Sequence, residues 1–76
     1  MNKYKYLVIH SDEYGISVYP TVERKEAIDR MHTHAITCAN DTDMVEFDEG
    51  MLMANIKTNK GITSHQWRVI DIANIV

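Results

Sequence analysis

From residue 21 to residue 40 the chain reads TVERKEAIDRMHTHAITCAN, the only long segment in which apolar residues recur at helical spacing. At 3.6 residues per turn, steps of one, three and four residues bring side chains onto a single stripe. The stripe consists of Ala27, Ile28, Met31, Ala35 and Cys38. The sequence therefore predicts one amphipathic helix that packs across a surface formed by the rest of the chain.

Both ends of this helix carry residues that are typical of helix termini. Thr21 is predicted to be the N-cap, and Glu23 lies in the first turn, where the helix dipole favours an anion. Asn40 is predicted to end the helix in the left-handed conformation. Glu26 and Arg30 are spaced for an ion pair one turn apart.

The segments on both sides of the helix alternate in the manner of β-strands. Residues 4–9 and 16–19 are predicted to form a hairpin around the turn at 11–15, and Pro20 to end its second strand. Three strands follow the helix, at residues 44–47, 51–57 and 64–72, with turns at 48–50 and 58–61 in which Gly50 and Gly61 are predicted to take the left-handed conformation. Residues 51–57 also contain several helix formers, so a short helix there is the alternative.

The order of these elements predicts an α+β fold, ββ-α-βββ, in a single domain spanning residues 1–76. One helix packs on one face of a four- to five-stranded, mostly antiparallel sheet. The second face of the sheet then needs another cover. The chain also ends in apolar residues, Ile72, Ala73, Ile75 and Val76, so we expect this end either to dock onto the sheet or to contact another chain, and we predict a homodimer.

The composition is that of an ordinary globular domain, since 45% of the 76 residues are hydrophobic and 25% are charged. The single cysteine excludes an intramolecular disulfide, and the first residues lack the apolar run of a signal peptide. No apolar stretch approaches the ~20 residues of a membrane helix. We therefore expect a cytoplasmic protein without a membrane segment.

The net charge of −3 is concentrated in one short segment. Five carboxylates lie within nine residues that contain no lysine or arginine: Asp41, Asp43, Glu46, Asp48 and Glu49. Nucleic acids are bound mainly by Lys and Arg, so this patch argues against a nucleic-acid partner. The segment also lacks the fixed ligand spacing of an EF-hand loop. The patch instead predicts a docking surface for a protein with a basic surface.

The histidines and the cysteine offer one further possibility. His34 and Cys38 are one helical turn apart and could share a zinc ion if His10 or His65 joined them. His32 points about 160° away from His34 around the helix axis and cannot join the same site. The commoner role of such residues is structural, with imidazoles flanking the apolar stripe and the cysteine inside it. The sequence therefore predicts no metal and no other cofactor, and a His/Cys metal module is an alternative.

Catalysis is not predicted either. Burial on the stripe should raise the thiol pKa of Cys38, which is the wrong direction for a nucleophile, and no glycine-rich phosphate loop is present. Large aromatic side chains are typical of protein interfaces, and Tyr4, Tyr6 and Trp67 are the candidate anchors beside the five carboxylates. The predicted function is stoichiometric protein–protein binding without enzymatic activity.

The sequence also leaves an alternative function open and offers one analogy to known proteins. A small-ligand binder or sponge is the alternative, with a nucleotide or metabolite pocket at an oligomer interface. Its candidate lining residues are His32, His34, Tyr6 and Arg68. In general style, the small size, the hairpin–helix–sheet plan and the acidic loop are similar to small accessory proteins of phages and mobile elements. That analogy, which no motif carries, implies an inhibitor of the anti-defence type.

Overall fold

The computed structural model describes residues 4–72 and confirms the predicted α+β fold. Its elements are β1 (Tyr6–Asp12), β2 (Gly15–Thr21), α1 (Arg24–Cys38), β3 (Met44–Asp48), β4 (Met53–Lys57) and β5 (Thr63–Asp71). The five strands form one sheet in the order β2-β1-β5-β4-β3, and every neighbouring pair is antiparallel. The helix connects one edge strand of the sheet to the other.

The last strand of the chain occupies the centre of the sheet. β5 pairs with β1 on one side and with β4 on the other, so it joins the two hairpins. Its register sets Trp67 opposite His10 on β1 and opposite Ala54 on β4. Residues near the start of the sequence therefore lie beside residues near its end.

The core lies between α1 and one face of the sheet. Ala27, Met31 and Ala35 are fully buried and follow one another at four-residue steps, so they form a single line along the helix. Small alanines on either side of Met31 let the helix lie close to the sheet. The sheet contributes the buried side chains of Val8, Ala54, Ile56, Trp67 and Val69. Within residues 4–72, no helix combines the length and the apolar character that crossing a membrane requires.

The predicted start of the helix is wrong. α1 begins at Arg24 with Glu23 in the N-cap position, and Thr21 is the buried last residue of β2. No side chain caps the first amides of the helix, and the carboxylate of Glu26 instead fixes the residue before the cap, because its Oε1 accepts a hydrogen bond of 3.3 Å from the Val22 amide. Pro20 does not end β2, since this is an edge strand in which the missing N–H need not break the ladder.

The predicted end of the helix is also wrong. The C-cap is Ala39, in an extended conformation with φ −74°, and Asn40 is not among the residues with positive φ. The Ala39 amide donates to the carbonyl of Ala35, and in the turn that follows Oδ2 of Asp43 accepts a hydrogen bond of 2.9 Å from the Asn40 amide. The Asp43 amide in turn donates to the Asn40 carbonyl at 3.0 Å, which closes the turn.

The ion pair on the helix surface joins other residues than predicted. Lys25 Nζ lies 3.3 Å from Asp29 Oδ2, and both side chains are exposed. The guanidinium of Arg30 lies 5.7 Å from the ring centroid of Tyr19 instead of pairing with Glu26. Contact with the aromatic ring on β2 therefore replaces the pair expected from spacing alone.

Of the two glycine-containing turns between the later strands, one has the predicted conformation and the other does not. Gly61 has φ +81°, as predicted for the turn before β5. Before β4, Leu52 with φ 54° takes the left-handed conformation that was predicted for Gly50. The left-handed region costs a residue with a side chain about 1–2 kcal/mol, and packing of Leu52 against the core offsets this cost. The strand predicted at 51–57 is confirmed as β4, and the helical alternative is excluded.

The apolar chain end lies mostly outside the described residues. Ala73, Ile75 and Val76 belong to this part, so the predicted contact through them stays a prediction. Ile72 is half-buried, and its amide donates a hydrogen bond of 2.9 Å to the carbonyl of Lys5.

Replacing Met31 by Ala should lower the free energy of unfolding by about 2–5 kcal/mol, because it leaves a cavity between helix and sheet. Urea unfolding followed by the fluorescence of Trp67 measures this change. The control is Ile36→Ala on the outer face of the helix, where Ile36 is 64% exposed, and its effect should stay below about 1 kcal/mol. Equal losses in the two variants would contradict the orientation of the helix.

Candidate functional site

A group of polar side chains lies on the helix side of the sheet, at the end of β1 and β5 beyond the apolar core. Alternation along β1 directs His10 and Asp12 to the same side as buried Val8. On β5, His65 and Trp67 share that side, and the register places Asp12 opposite His65. The helix adds His34. We call His10, His34, His65 and Asp12 the histidine cluster.

The burial of Trp67 explains why a histidine of the helix contacts it. The indole is 1% exposed, and a buried indole N–H needs an acceptor. Its Nε1 donates to Nδ1 of His34 at 3.1 Å. This bond makes Nδ1 of His34 an acceptor, so the neutral imidazole carries its proton on Nε2.

His10 is held from three sides. Its ring stacks on Trp67, with centroids 4.6 Å apart and planes 16° apart, and meets the ring of His34 edge to face at 4.7 Å. Its Nε2 lies 2.9 Å from Nδ1 of His65, so one of these two nitrogens donates and the other accepts. Burial, helped by the neighbouring His34 and His65, lowers the pKa of His10, and the Asp12 carboxylate opposes this shift only in part. The environment therefore favours the neutral imidazole.

The group of possible metal ligands in residues 4–72 differs from the predicted pair. Nitrogen atoms of His10 and His65 and a carboxylate oxygen of Asp12 all lie within 4.8 Å of one another. Nδ1 of His34 is occupied by the indole, and Cys38 is half-buried against the core. Burial raises the thiol pKa of Cys38, as predicted, and the charge of Asp12 raises it further.

The four residues proposed for a small-ligand pocket do not meet. His32 stacks on Phe47 of β3 with ring centroids 3.9 Å apart, whereas His34 faces the histidine cluster. Tyr6 packs against the core, and Arg68 is exposed on the opposite face of the sheet. Within one chain these four residues therefore form no shared pocket, and a pocket between two copies stays a prediction. A groove between α1 and β2 does include one of the four, and it is lined by Tyr19, Glu26, Arg30, Thr33, His34 and Thr37.

The five predicted carboxylates surround the edge strand β3, and we call this surface the acidic edge. Four of them are exposed, and Asp43 is half-buried in the turn that follows the helix. Glu46 lies 3.4 Å from Nζ of Lys57 on the neighbouring strand, and Oε1 of Glu49 lies 3.7 Å from Nε2 of His32. These are weak contacts at the protein surface, so the acidic edge keeps most of its charge accessible.

The predicted aromatic anchors have different surroundings. Trp67 is 1% exposed, so its prediction as a surface anchor is wrong. Alternation with Val69 on β5 turns both residues inward. Tyr6 is half-buried against the core, and Tyr4 remains 40% exposed near one end of the sheet.

The face of the sheet opposite the helix has an apolar half. Val18 lies opposite Ile9, and Leu7 lies opposite Ile70, so these side chains form a continuous surface over β2, β1 and β5. Ile16 extends this surface at the edge and is 72% exposed, while Val18 is 50% exposed. We call these five residues the open-face patch. An uncovered second face was predicted, but the sequence alone left its composition open.

Comparison with protein-family models, curated proteins and solved structures gives no match. The function is therefore inferred from the geometry of the chain itself.

Acid should destabilise the fold through His10. The folded-state pKa of this residue lies below its unfolded value of about 6.5, so between the two values the unfolded chain binds more protons. The stability from His10 is fully present above pH 6.5 and is lost as the pH falls through the lower folded-state pKa. Urea midpoints measured in chelator from pH 8 to pH 5 should show this decline. His10→Gln should have a flatter profile, and a profile parallel to the wild type would contradict the assignment.

Proposed function

We propose that the protein is a non-enzymatic binding protein of the cytoplasm that captures a basic protein partner, in a stoichiometric complex, on the acidic edge. The observation that carries this proposal is the mixture of side chains at this edge. Exposed Met44 (61%), Phe47 (37%) and Met51 (65%) lie among the five carboxylates. Exposed apolar groups of this size beside one sign of charge are typical of surfaces that bind other proteins.

The two kinds of side chain have separate tasks in this proposal. The carboxylates attract and orient a positively charged surface, which raises the association rate and selects against acidic proteins. The methionines and Phe47 supply apolar area that can be buried in the complex. Methionine side chains are flexible, so they can adapt to the shape of the partner.

The backbone of β3 supports a partner other than a second acidic edge. β3 is the last strand of the sheet, and none of residues 4–72 forms a strand on its outer side. The other edge strand, β2, contains Pro20, which discourages further pairing, whereas β3 has neither Pro nor Lys. Glu46 and Asp48 would meet like charges in a pairing of two β3 strands, so a basic strand or loop fits this edge better.

A second copy of the chain is the occupant that we propose for the open-face patch. The five residues of the patch are uncharged and suit a symmetric apolar contact, and exposed Arg68 lies at the border of the patch, opposite Ile9. The patch spans β2, β1 and β5, whereas the acidic edge surrounds β3, which lies two strand spacings, about 10 Å, beyond β5. A homodimer formed through the patch would leave both acidic edges free.

A protein of this kind would act by occupying the basic surface of its partner. Stoichiometric inhibition is the simplest consequence, in keeping with the analogy to small accessory proteins of phages and mobile elements. The fold supports this mode of action because the grooves beside His65, along α1 and at β3 are open to solvent.

Charge reversal at the acidic edge tests the proposed function. Immobilised wild-type protein should capture one partner from a lysate of the cells in which the protein occurs, with a yield that falls as salt increases. Asp41→Lys with Glu49→Lys should weaken this capture at least about tenfold, which corresponds to about 1.4 kcal/mol. Hydrogen exchange should also show protection of residues 44–48 in the complex.

The matched control is Glu13→Lys with Asp29→Lys, which changes the net charge equally at exposed positions outside the acidic edge. This variant should retain capture. Equal capture by both variants, or no stoichiometric partner for the wild type, would contradict the proposal.

Replacing Ile16 and Val18 by Lys should convert the proposed dimer into a monomer, because burying two charged groups on the patch is unfavourable. Sedimentation equilibrium should give twice the chain mass of 8.8 kDa for the wild type and one chain mass for the variant. The control variant also introduces two lysines, at Ile36 and Ile62, which are 64% and 62% exposed and lie away from the patch. It should remain dimeric. A monomeric wild type would contradict the proposed dimer. The role of the acidic edge does not depend on this result, because the capture experiment tests it separately.

A further inference from the structure

We propose that His10, Asp12 and His65 bind a divalent transition-metal ion, with Zn²⁺ as the ion that these donors fit best. This inference is independent of the proposed protein-binding function. It rests on the positions of three donor atoms and on the contacts that fix them.

The three donor atoms have the spacing that a metal ion needs. Nε2 of His10 and Nδ1 of His65 are 2.9 Å apart, and each lies 3.9 Å from Oδ2 of Asp12. An isosceles triangle with this base and these sides has a circumscribed radius of about 2.1 Å, so one point lies at that distance from all three atoms. Zinc lies about 2.0–2.2 Å from imidazole nitrogen and carboxylate oxygen in proteins. Tetrahedral coordination requires the two nitrogens to separate to about 3.3 Å and each nitrogen to approach Oδ2 of Asp12 to about 3.4 Å, which are shifts of about half an ångström.

Neighbouring strands supply all three donors. Asp12 and His65 are opposite each other in the β1–β5 register, and His10 precedes Asp12 by two residues, on the same side of β1. Because β1 and β5 are hydrogen-bonded to each other, the backbone positions of the ligands are set by the sheet. Sites on such rigid elements hold their geometry better than sites on loops.

The surrounding contacts orient each ligand. Oδ1 of Asp12 accepts hydrogen bonds from the amides of Tyr14 (2.8 Å) and Gly15 (3.1 Å), which turns Oδ2 toward the two imidazoles. The ring of His10 is fixed by its stacking on Trp67. Imidazole binds metal in its neutral form, which the buried surroundings of His10 favour.

The donor set indicates the class of ion. Two nitrogens and one oxygen suit Zn²⁺, Co²⁺ or Ni²⁺, whereas Mg²⁺ and Ca²⁺ prefer oxygen ligands alone. Three protein ligands leave a fourth position for water or an exchangeable ligand. Asp12 and His65 are 20% and 23% exposed at their side chains, and an open groove lined by Tyr14, Thr58 and Ile62 runs beside them. Solvent can therefore reach the site from this side.

Calorimetric titration of the metal-free protein with ZnCl₂ tests the site. We expect one Zn²⁺ per chain, and MgCl₂ under the same conditions should give no binding. His65→Gln and Asp12→Asn should each weaken Zn²⁺ binding at least about tenfold. Both positions are partly exposed, so these variants are preferred to changes at buried His10, and circular dichroism checks their folding.

Two controls distinguish this site from the alternatives. His32→Gln removes a histidine of similar burial outside the cluster, and Cys38→Ser removes the thiol of the site predicted from helical spacing; both should retain full Zn²⁺ binding. Nitrogen-15 spectra should show metal-dependent shifts at Nε2 of His10 and Nδ1 of His65. Absent or substoichiometric binding, binding that survives both ligand variants, or binding lost in Cys38→Ser would overturn the proposal.

Discussion

The pairing of β5 with both β1 and β4 is the constraint on which the rest of the structure depends. Without it the strands form two separate hairpins, and a two-stranded hairpin is at best marginally stable in water. β5 also carries Trp67 and Val69 into the core and brings His65 beside Asp12. The strand that completes the sheet therefore completes the histidine cluster in the same step, so folding and assembly of this cluster are one event.

The chemistry of the cluster follows from burying a tryptophan. The indole of Trp67 fills the core, and its N–H requires an acceptor, which the helix supplies as His34. The face of the same indole provides the surface on which His10 stacks, and the resulting burial lowers the pKa of this imidazole. The lowered pKa of His10 at the end of the sheet is thus a consequence of how the core is closed. The histidine cluster lies where the apolar layer between the 15-residue helix and the sheet ends, so polar groups are tolerated there.

Periodicity was sufficient to predict the helix, the strands and the buried line through Met31, because these depend on neighbours along the chain. Strand order depends on contacts between distant segments, so the meeting of Asp12 with His65 was not accessible from sequence alone. The misplaced N-cap has a similar cause, since Thr21 fits a cap by type but β2 retains it in the sheet. Trp67 was predicted as a surface anchor from residue type, although its alternation with Val69 already indicated an inward position.

The acidic edge, in contrast, contributes little to the stability of the fold. Its carboxylates form only surface ion pairs and turn contacts, such as that of Asp48 with the Met51 amide, and each of these contributes little to stability. Five like charges within nine residues repel one another, so they lower the stability of the isolated chain. No core contact needs this concentration of charge. Lys57 offsets part of this charge through its pair with Glu46, and a basic surface would offset the rest, which supports the proposal that the acidic edge binds a partner.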